Sequence, residues 1–232
     1  MLWNRKEFKE KGKLLFRSRY WDFVLVTLLF SLLVGTGIIN FESTYSVDGS
    51  YLKVNVLNMT LLTVNNWFLG ISGALSLILS IFFVNVIHVG GAKFFLDSTQ
   101  HESSYETLFF GFKNSYKNIV LIQFIKDVKI ALWSLLFIVP GIVKAMEYVM
   151  IPYLLAENPN MEKEEAFQKS KKMMNGHKWD YFVLLFSFFG WILLDIVTFG
   201  LTSVFWTDPY IHCTQAYVYL DLKQQDEVID VV

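Results

Sequence analysis

The chain has 232 residues, 54% hydrophobic, 17% aromatic and only 18% charged, with a mean hydropathy of +0.41. Charged residues approach a quarter of an ordinary soluble domain, so this composition excludes one, and a formal net charge of −1 offers no basis for a nucleic-acid partner. Cys213, the single cysteine, excludes an internal disulfide and reads as a buried, inert thiol in an apolar stretch.

Residues 1–19 set Arg5, Lys6, Lys9, Lys11, Lys13, Arg17 and Arg19 among Leu2, Trp3, Phe8, Leu14, Leu15 and Phe16. This basic amphipathic segment suits the surface of an anionic inner leaflet. It runs into Tyr20–Ile39, about 20 mostly apolar residues and enough to cross a hydrocarbon core of about 30 Å. No small-residue cleavage site follows, so this first span is expected to stay in the mature protein. Between 40 and 66 the chain is polar, and Asp48-Gly49 between alternating runs predicts a small hairpin. Asn58-Met59-Thr60 has the form of a glycosylation triplet.

Trp67–Gly90 reads as span two, with Ser72, Ser76 and Ser80 forming a small-residue flank for close helix packing. Ser103 and Glu106 form a capping-box pattern, and Leu108, Phe109 and Phe112 follow at helical spacing, predicting a second short interfacial helix. Lys117–Val139 is span three. Gln123, Asp127, Ile130 and Ser134 along one face predict a polar stripe turned inward, and Pro140-Gly141 is read as the stop. Ile142–Ala156 is a short span four with Pro152 as a kink. A third short helix follows Asn158-Pro159-Asn160. It buries Ala166, Phe167, Ser170, Met173 and Met174, and Gly176 is its C-terminal cap. Trp179–Phe199 is span five. Span six is awkward: Pro209–Leu222 is short unless it starts near Leu201 and breaks at Asp208-Pro209. The acidic tail from Asp221 reads as loose.

The expected fold is therefore all-α: a single polytopic membrane domain of six transmembrane helices. Segments 1–19, 91–118, 157–178 and 221–232 hold 16 of the 20 lysines and arginines, which puts both termini in the cytoplasm. Trp133-x-Leu-Leu-x-Ile-Val139 returns 58 positions later as Trp191-x-Leu-Leu-x-Ile-Val197, and Trp21-Asp22-Phe23 parallels Trp179-Asp180-Tyr181. The chain thus reads as three parallel repeats, 1–96, 98–157 and 161–222, each an amphipathic interfacial helix followed by a two-span hairpin, with an acidic tail over 223–232.

Leu132–Gly141, Ser170–Trp179, Phe189–Leu194 and Asp208-Pro-Tyr210 resemble the bacterial membrane family called domain of unknown function 975, and more distantly the membrane domain attached to some glycerophosphodiester phosphodiesterases. The likeness runs from about 105 to 222. It implies an integral protein of the bacterial cytoplasmic membrane and brings no catalytic residues.

Ionisable groups within spans are costly and are candidates for ligand or ion handling. Here they are Lys126, Asp127, Lys129, Lys144, Glu147 and Asp195. Lys144 and Glu147 stand three apart, at pairing distance on a helix, whereas Asp127 is expected to find an interhelical partner. In the bland reading the lysines of span three snorkel toward the cytoplasm, Lys144 and Asp195 lie near the outer interface and the remainder form structural pairs; in the functional one they line a polar cavity. The four histidines are scattered with no zinc spacing, and no nucleophile elbow, phosphate loop or dinucleotide fingerprint occurs. The reading is thus a non-enzymatic membrane protein without cofactor. It binds a lipid or amphipathic ligand or serves a transport or envelope system, with membrane lipids and other membrane proteins as partners. The alternative is a small transporter or channel using spans three and four.

Overall fold

The structure, a computed structural model, describes residues 3–34, 39–46, 49–56, 59–65, 80–100 and 104–231; for 32–34, the strands, 80–81 and 229–231 it gives the backbone course only. Asn58, residues 66–79 and Ser103 lie outside this set, and with them the glycosylation triplet, most of expected span two and the predicted Ser103 cap.

Helix α1 (Arg5–Ser18) starts where the Asn4 side chain accepts from the Glu7 amide, and it buries Phe8, Gly12, Leu15 and Phe16 at helical spacing. Helix α2 (Tyr20–Val34) follows after a bend at Arg19, which pairs with Asp22 at 2.7 Å. Strands β1 (Ile39–Ser46), β2 (Gly49–Val56) and β3 (Met59–Asn65) form an antiparallel sheet in that order, with Ser46 opposite Gly49. The hairpin expected at Asp48-Gly49 is thus present and gains a third strand. A π-helical turn (Ser80–Val84) leads into α3 (Asn85–Ser98).

The expected second interfacial helix is a 3₁₀ turn (Tyr105–Phe109) capped by Ser104, plus the short α4 (Phe110–Lys113). Helix α5 (Tyr116–Leu136) does not stop at Pro140-Gly141. The chain breaks one turn earlier, at an extended Phe137, and Ile138-Val139-Pro140 already open α6 (Ile138–Glu147). A proline in a first turn loses no helical bond, because that N–H has no partner there anyway. Gly141 serves close approach, not a turn. A Cβ there would collide with Ser134, at 2.8 Å from its Cα, so the glycine lets α5 and α6 close into a tight hairpin. Pro152 divides expected span four, starting α7 (Ile151–Glu157) after a turn at Tyr148–Met150.

Helix α8 (Lys163–Met173) buries Ala166, Phe167, Ser170 and Met173 as read from the sequence, and Gly176 follows at φ 83°. Expected span five is two helices, α9 (Lys178–Phe186) and α10 (Phe189–Val197). Phe199 and Gly200 both have positive φ, and the Gly200 amide reaches the Asp195 carbonyl at 2.7 Å, closing α10 in a Schellman turn. The expected break at Asp208-Pro209 is absorbed by a π-helical turn (Ser203–Thr207), whose wider register leaves room for the proline ring. Helix α11 (Asp208–Val231) continues through the tail expected to be loose, where Lys172 pairs with Asp226 at 2.9 Å and Lys223 with Glu157 at 2.8 Å.

Helix α1 lies antiparallel along α11: Phe16 meets Trp206 with ring centroids 5.2 Å apart, Gly12 abuts Thr214, and Lys11 lies in the field of Asp221. Its apolar face is therefore covered by protein. The core of Phe8, Phe16, Val89, Leu154, Met174, Tyr219 and their neighbours collects α1, α3, α7, α8 and α11 into a helical base. Among the described residues, Ile138–Glu157 and Lys178–Val197 are long and apolar enough to cross a membrane, and Tyr20–Ser31 is a shorter apolar helix. The expected spans over 117–139 and 209–222 are helical, but one carries Lys126, Asp127 and Lys129 and the other packs on the charged α1. Nor do the repeat corners match element by element: the offset pairing Trp133 with Trp191 pairs Leu136 with Leu194, yet α10 runs on to Val197.

A Cβ at Gly12 would sit 2.8 Å from the Thr214 backbone nitrogen, whereas one at Gly190 meets nothing within 4 Å. Gly12→Val should cost about 1–3 kcal/mol through overpacking. Gly190→Ala, in the first turn of α10, should be neutral or gain up to about 1 kcal/mol. Thermal unfolding in detergent would show the first melting below the parent and the second at or above it; the reverse order would contradict the α1–α11 packing.

Candidate functional site: a lysine cluster around Glu147

At the foot of the α5–α6 hairpin, Glu147 ends α6 with its side chain 6% exposed. Two ammonium groups hold its carboxylate, Lys144 Nζ at 2.6 Å from Oε2 and Lys178 Nζ at 2.6 Å from Oε1. The first is the local pair predicted three residues apart. The second comes from the start of α9, 31 positions away, and carries no sequence signal. Because the helix breaks after Glu147, its carbonyl is free to accept from Ser170 Oγ at 2.7 Å, which ties α8 to the same point.

Lys129 approaches from α5, its Nζ 3.7 Å from the centroid of Phe167 and 5.8 Å from that of Tyr148. Lys144 also lies over Trp133 at 5.4 Å and Tyr148 at 5.9 Å. These are cation–π contacts, in which the electron-rich ring face stands in for a counter-ion. Three of the six predicted residues, Lys129, Lys144 and Glu147, thus meet around Tyr148, and Lys178 joins them. Asp127 does not take the interhelical partner expected of it: with its side chain 48% exposed it pairs with adjacent Lys126 at 3.3 Å, the long lysine curling back along the helix. Asp195 accepts from Thr207 Oγ1 at 2.8 Å across the α10 corner, and among the described residues no hydrogen bond or ion pair joins it to the other five. The stripe expected to face inward does so at Gln123, which is fully buried, and in part at Ile130, which packs against the core; Asp127 and Ser134 are exposed.

Two cavities lie elsewhere, and none of the six residues lines either. The larger, about 150 Å³, sits between α2, α3, α7 and α11 and is lined by Phe30, His88, Phe95, Tyr153, His212 and Gln215, with His212 stacked on Phe95 at 4.9 Å. Two histidines that look scattered in sequence are brought to one space. The smaller, about 60 Å³, includes Lys172, His177 and Asp226. Among the described residues no group of three or more His, Cys, Asp or Glu could hold a metal ion. Nearer the charged surface, Lys9 donates to Ser187 Oγ at 3.2 Å, and burial, with Arg5 adding to it, pushes its ammonium below the ordinary lysine range.

Residues 138–226 match the family model described as "Protein of unknown function (DUF975)". This region is similar to the DUF975 family. No curated protein and no solved structure matches the chain. The DUF975 region begins at the first residue of α6 and includes Lys144, Glu147, Lys178 and Asp195, whereas Lys126, Asp127 and Lys129 precede it.

Removing a largely buried carboxylate leaves two ammonium groups facing each other. Because both lysines are partly exposed, Glu147→Ala should cost about 1–3 kcal/mol, short of the fully buried limit. A double-mutant cycle with Lys178→Met should return a coupling of about 1 kcal/mol. Zero coupling in thermal unfolding would show that the contact does not tie α6 to α9.

Proposed function

We propose that this is a non-enzymatic integral protein of the bacterial cytoplasmic membrane that holds lipid or an amphipathic ligand. One observation carries the reading, a run of large apolar side chains left outside the fold. At the α5–α6 corner, Leu135 is 86% exposed, Phe137 71%, Ile138 77% and Val139 70%; at the α10 corner, Ile196 is 69%, Val197 73% and Phe199 64%. Isolated exposed apolar residues are ordinary, but two contiguous apolar corners call for an apolar solvent. Along α9 and into α10 a ladder of rings, Trp179, Phe182, Phe186 and Phe189, continues the same surface, with centroids 5.4 to 6.4 Å apart.

Charge sets the depth. Glu147, Lys144 and Lys178 lie together at the base of the first corner, and Lys9 touches Ser187 at the base of the second. From Glu147 to Ile138 is nine residues, or about 14 Å of helix, and α10 has a similar length, so each corner reaches about the middle of a 30 Å core. Six full crossings would instead put Lys126 and Asp127 near the midplane, where charge is costly. We therefore place the charged layer at the cytoplasmic interface, with α1, α8 and α11 on that side. Both termini stay cytoplasmic, because a hairpin that dips and returns leaves the sidedness of the chain unchanged.

If Leu135 faces hydrocarbon, Leu135→Arg should cost about 2–3 kcal/mol. Facing water, the change should stay within about 0.5 kcal/mol. The parent should remain in membranes washed with alkaline carbonate, and the variant should give a reduced yield of folded, membrane-bound protein. A fully tolerated arginine together with release by carbonate would overturn the reading.

A further inference from the structure

The cluster around Glu147 holds more positive charge than its acids balance. Lys144 and Lys178 share one carboxylate, Asp127 is taken by Lys126, and among the described residues Lys129 makes no ion pair, though its charge acts on exposed Glu164. Each of the lysines bound to Glu147 keeps donors to spare, since an ammonium has three. Lys129 and Lys144 both lie within 6 Å of the Tyr148 ring centroid, at 5.8 and 5.9 Å. Directly above, toward the corner, stand Leu132, Trp133, Ile142 and Val143, all 40% exposed or more.

Resting on the membrane reading above, we propose that Lys129, Lys144 and Lys178 bind the phosphodiester of an anionic phospholipid whose acyl chains lie along this apolar surface of α5 and α6. The surplus cations supply the charge-assisted hydrogen bonds that a phosphate oxygen accepts best. They also oppose a headgroup that carries its own ammonium, so phosphatidylglycerol is favoured over phosphatidylcholine. The exposed apolar wall distinguishes a lipid from free phosphate, which makes no use of it. Glu147 competes with the phosphate for two of the three lysines and therefore sets the strength of the site.

The test uses the full chain in nanodiscs of phosphatidylcholine doped with phosphatidylglycerol, with the lipids retained after release counted by native mass spectrometry. Phosphatidylglycerol should be enriched over its share of the bilayer. Lys129→Gln should lower that enrichment about fivefold, the effect of one basic group at a membrane surface, while Lys129→Arg preserves it. Glu147→Gln should raise it, a gain that misfolding cannot produce. Normal insertion without preference for phosphatidylglycerol would overturn this site and leave the membrane reading standing; failure to insert into either lipid would overturn both. Displacement of phosphatidylglycerol by millimolar inorganic phosphate would overturn the lipid assignment.

Discussion

The carboxylate of Glu147 fixes the level of one apolar hairpin against the next. It is held at 2.6 Å by a lysine of its own helix and at 2.6 Å by Lys178, the first residue of α9, so the foot of α6 and the foot of α9 stand at one height. Ser170 on the Glu147 carbonyl brings α8 to the same level. A charged layer cannot lie deep in hydrocarbon at small cost, so its position constrains where the corners beyond it end. The proposed depth, lipid contact and placement of α1 and α11 all rest on that layer.

The chain divides its apolar residues between a packed core and an exposed surface. Those of α1, α3, α7, α8 and α11 bury one another, with Phe16, Val89, Met150, Leu155 and Cys213 fully enclosed. Those of the two corners bury nothing, and α10 has no buried residue at all. Small residues allow the base to close: Gly12 against Thr214, Gly90 against the Leu108 backbone, Gly141 against Ser134. The cavity holding His88 and His212 belongs to this base, at the break that Pro152 makes between α6 and α7.

Local features were legible in the sequence because their causes are local. The buried face of α8, the positive φ at Gly176, the β1–β2 hairpin and the Lys144–Glu147 pair each follow from residues within a few positions of one another. What failed depends on contacts between distant segments or on a rule applied one turn too far. Pro140-Gly141 reads as a stop because proline lacks a donor, but in a first turn that donor is not needed and the glycine serves packing instead. Asp208-Pro209 reads as a break because an α register leaves no room for the ring, whereas a π turn does. Nothing near residue 147 announces Lys178, and nothing in the amphipathic pattern of α1 tells a leaflet from α11. Hydropathy reads 117–139 and 209–222 as spans, but among the described residues neither is one of the helices long and apolar enough to cross a membrane.

The depth of the α5–α6 corner tests the account most directly. A spin label on a Phe137→Cys chain, with native Cys213 fully buried and out of reach, can be placed in reconstituted bilayers by its relative collision rates with oxygen and with a water-soluble nickel complex. The account predicts high oxygen and low nickel accessibility, with the label near the bilayer centre. A label open to the nickel complex at the extracytoplasmic surface would mean that the hairpin crosses fully, and that the charged layer around Glu147 does not mark the interface.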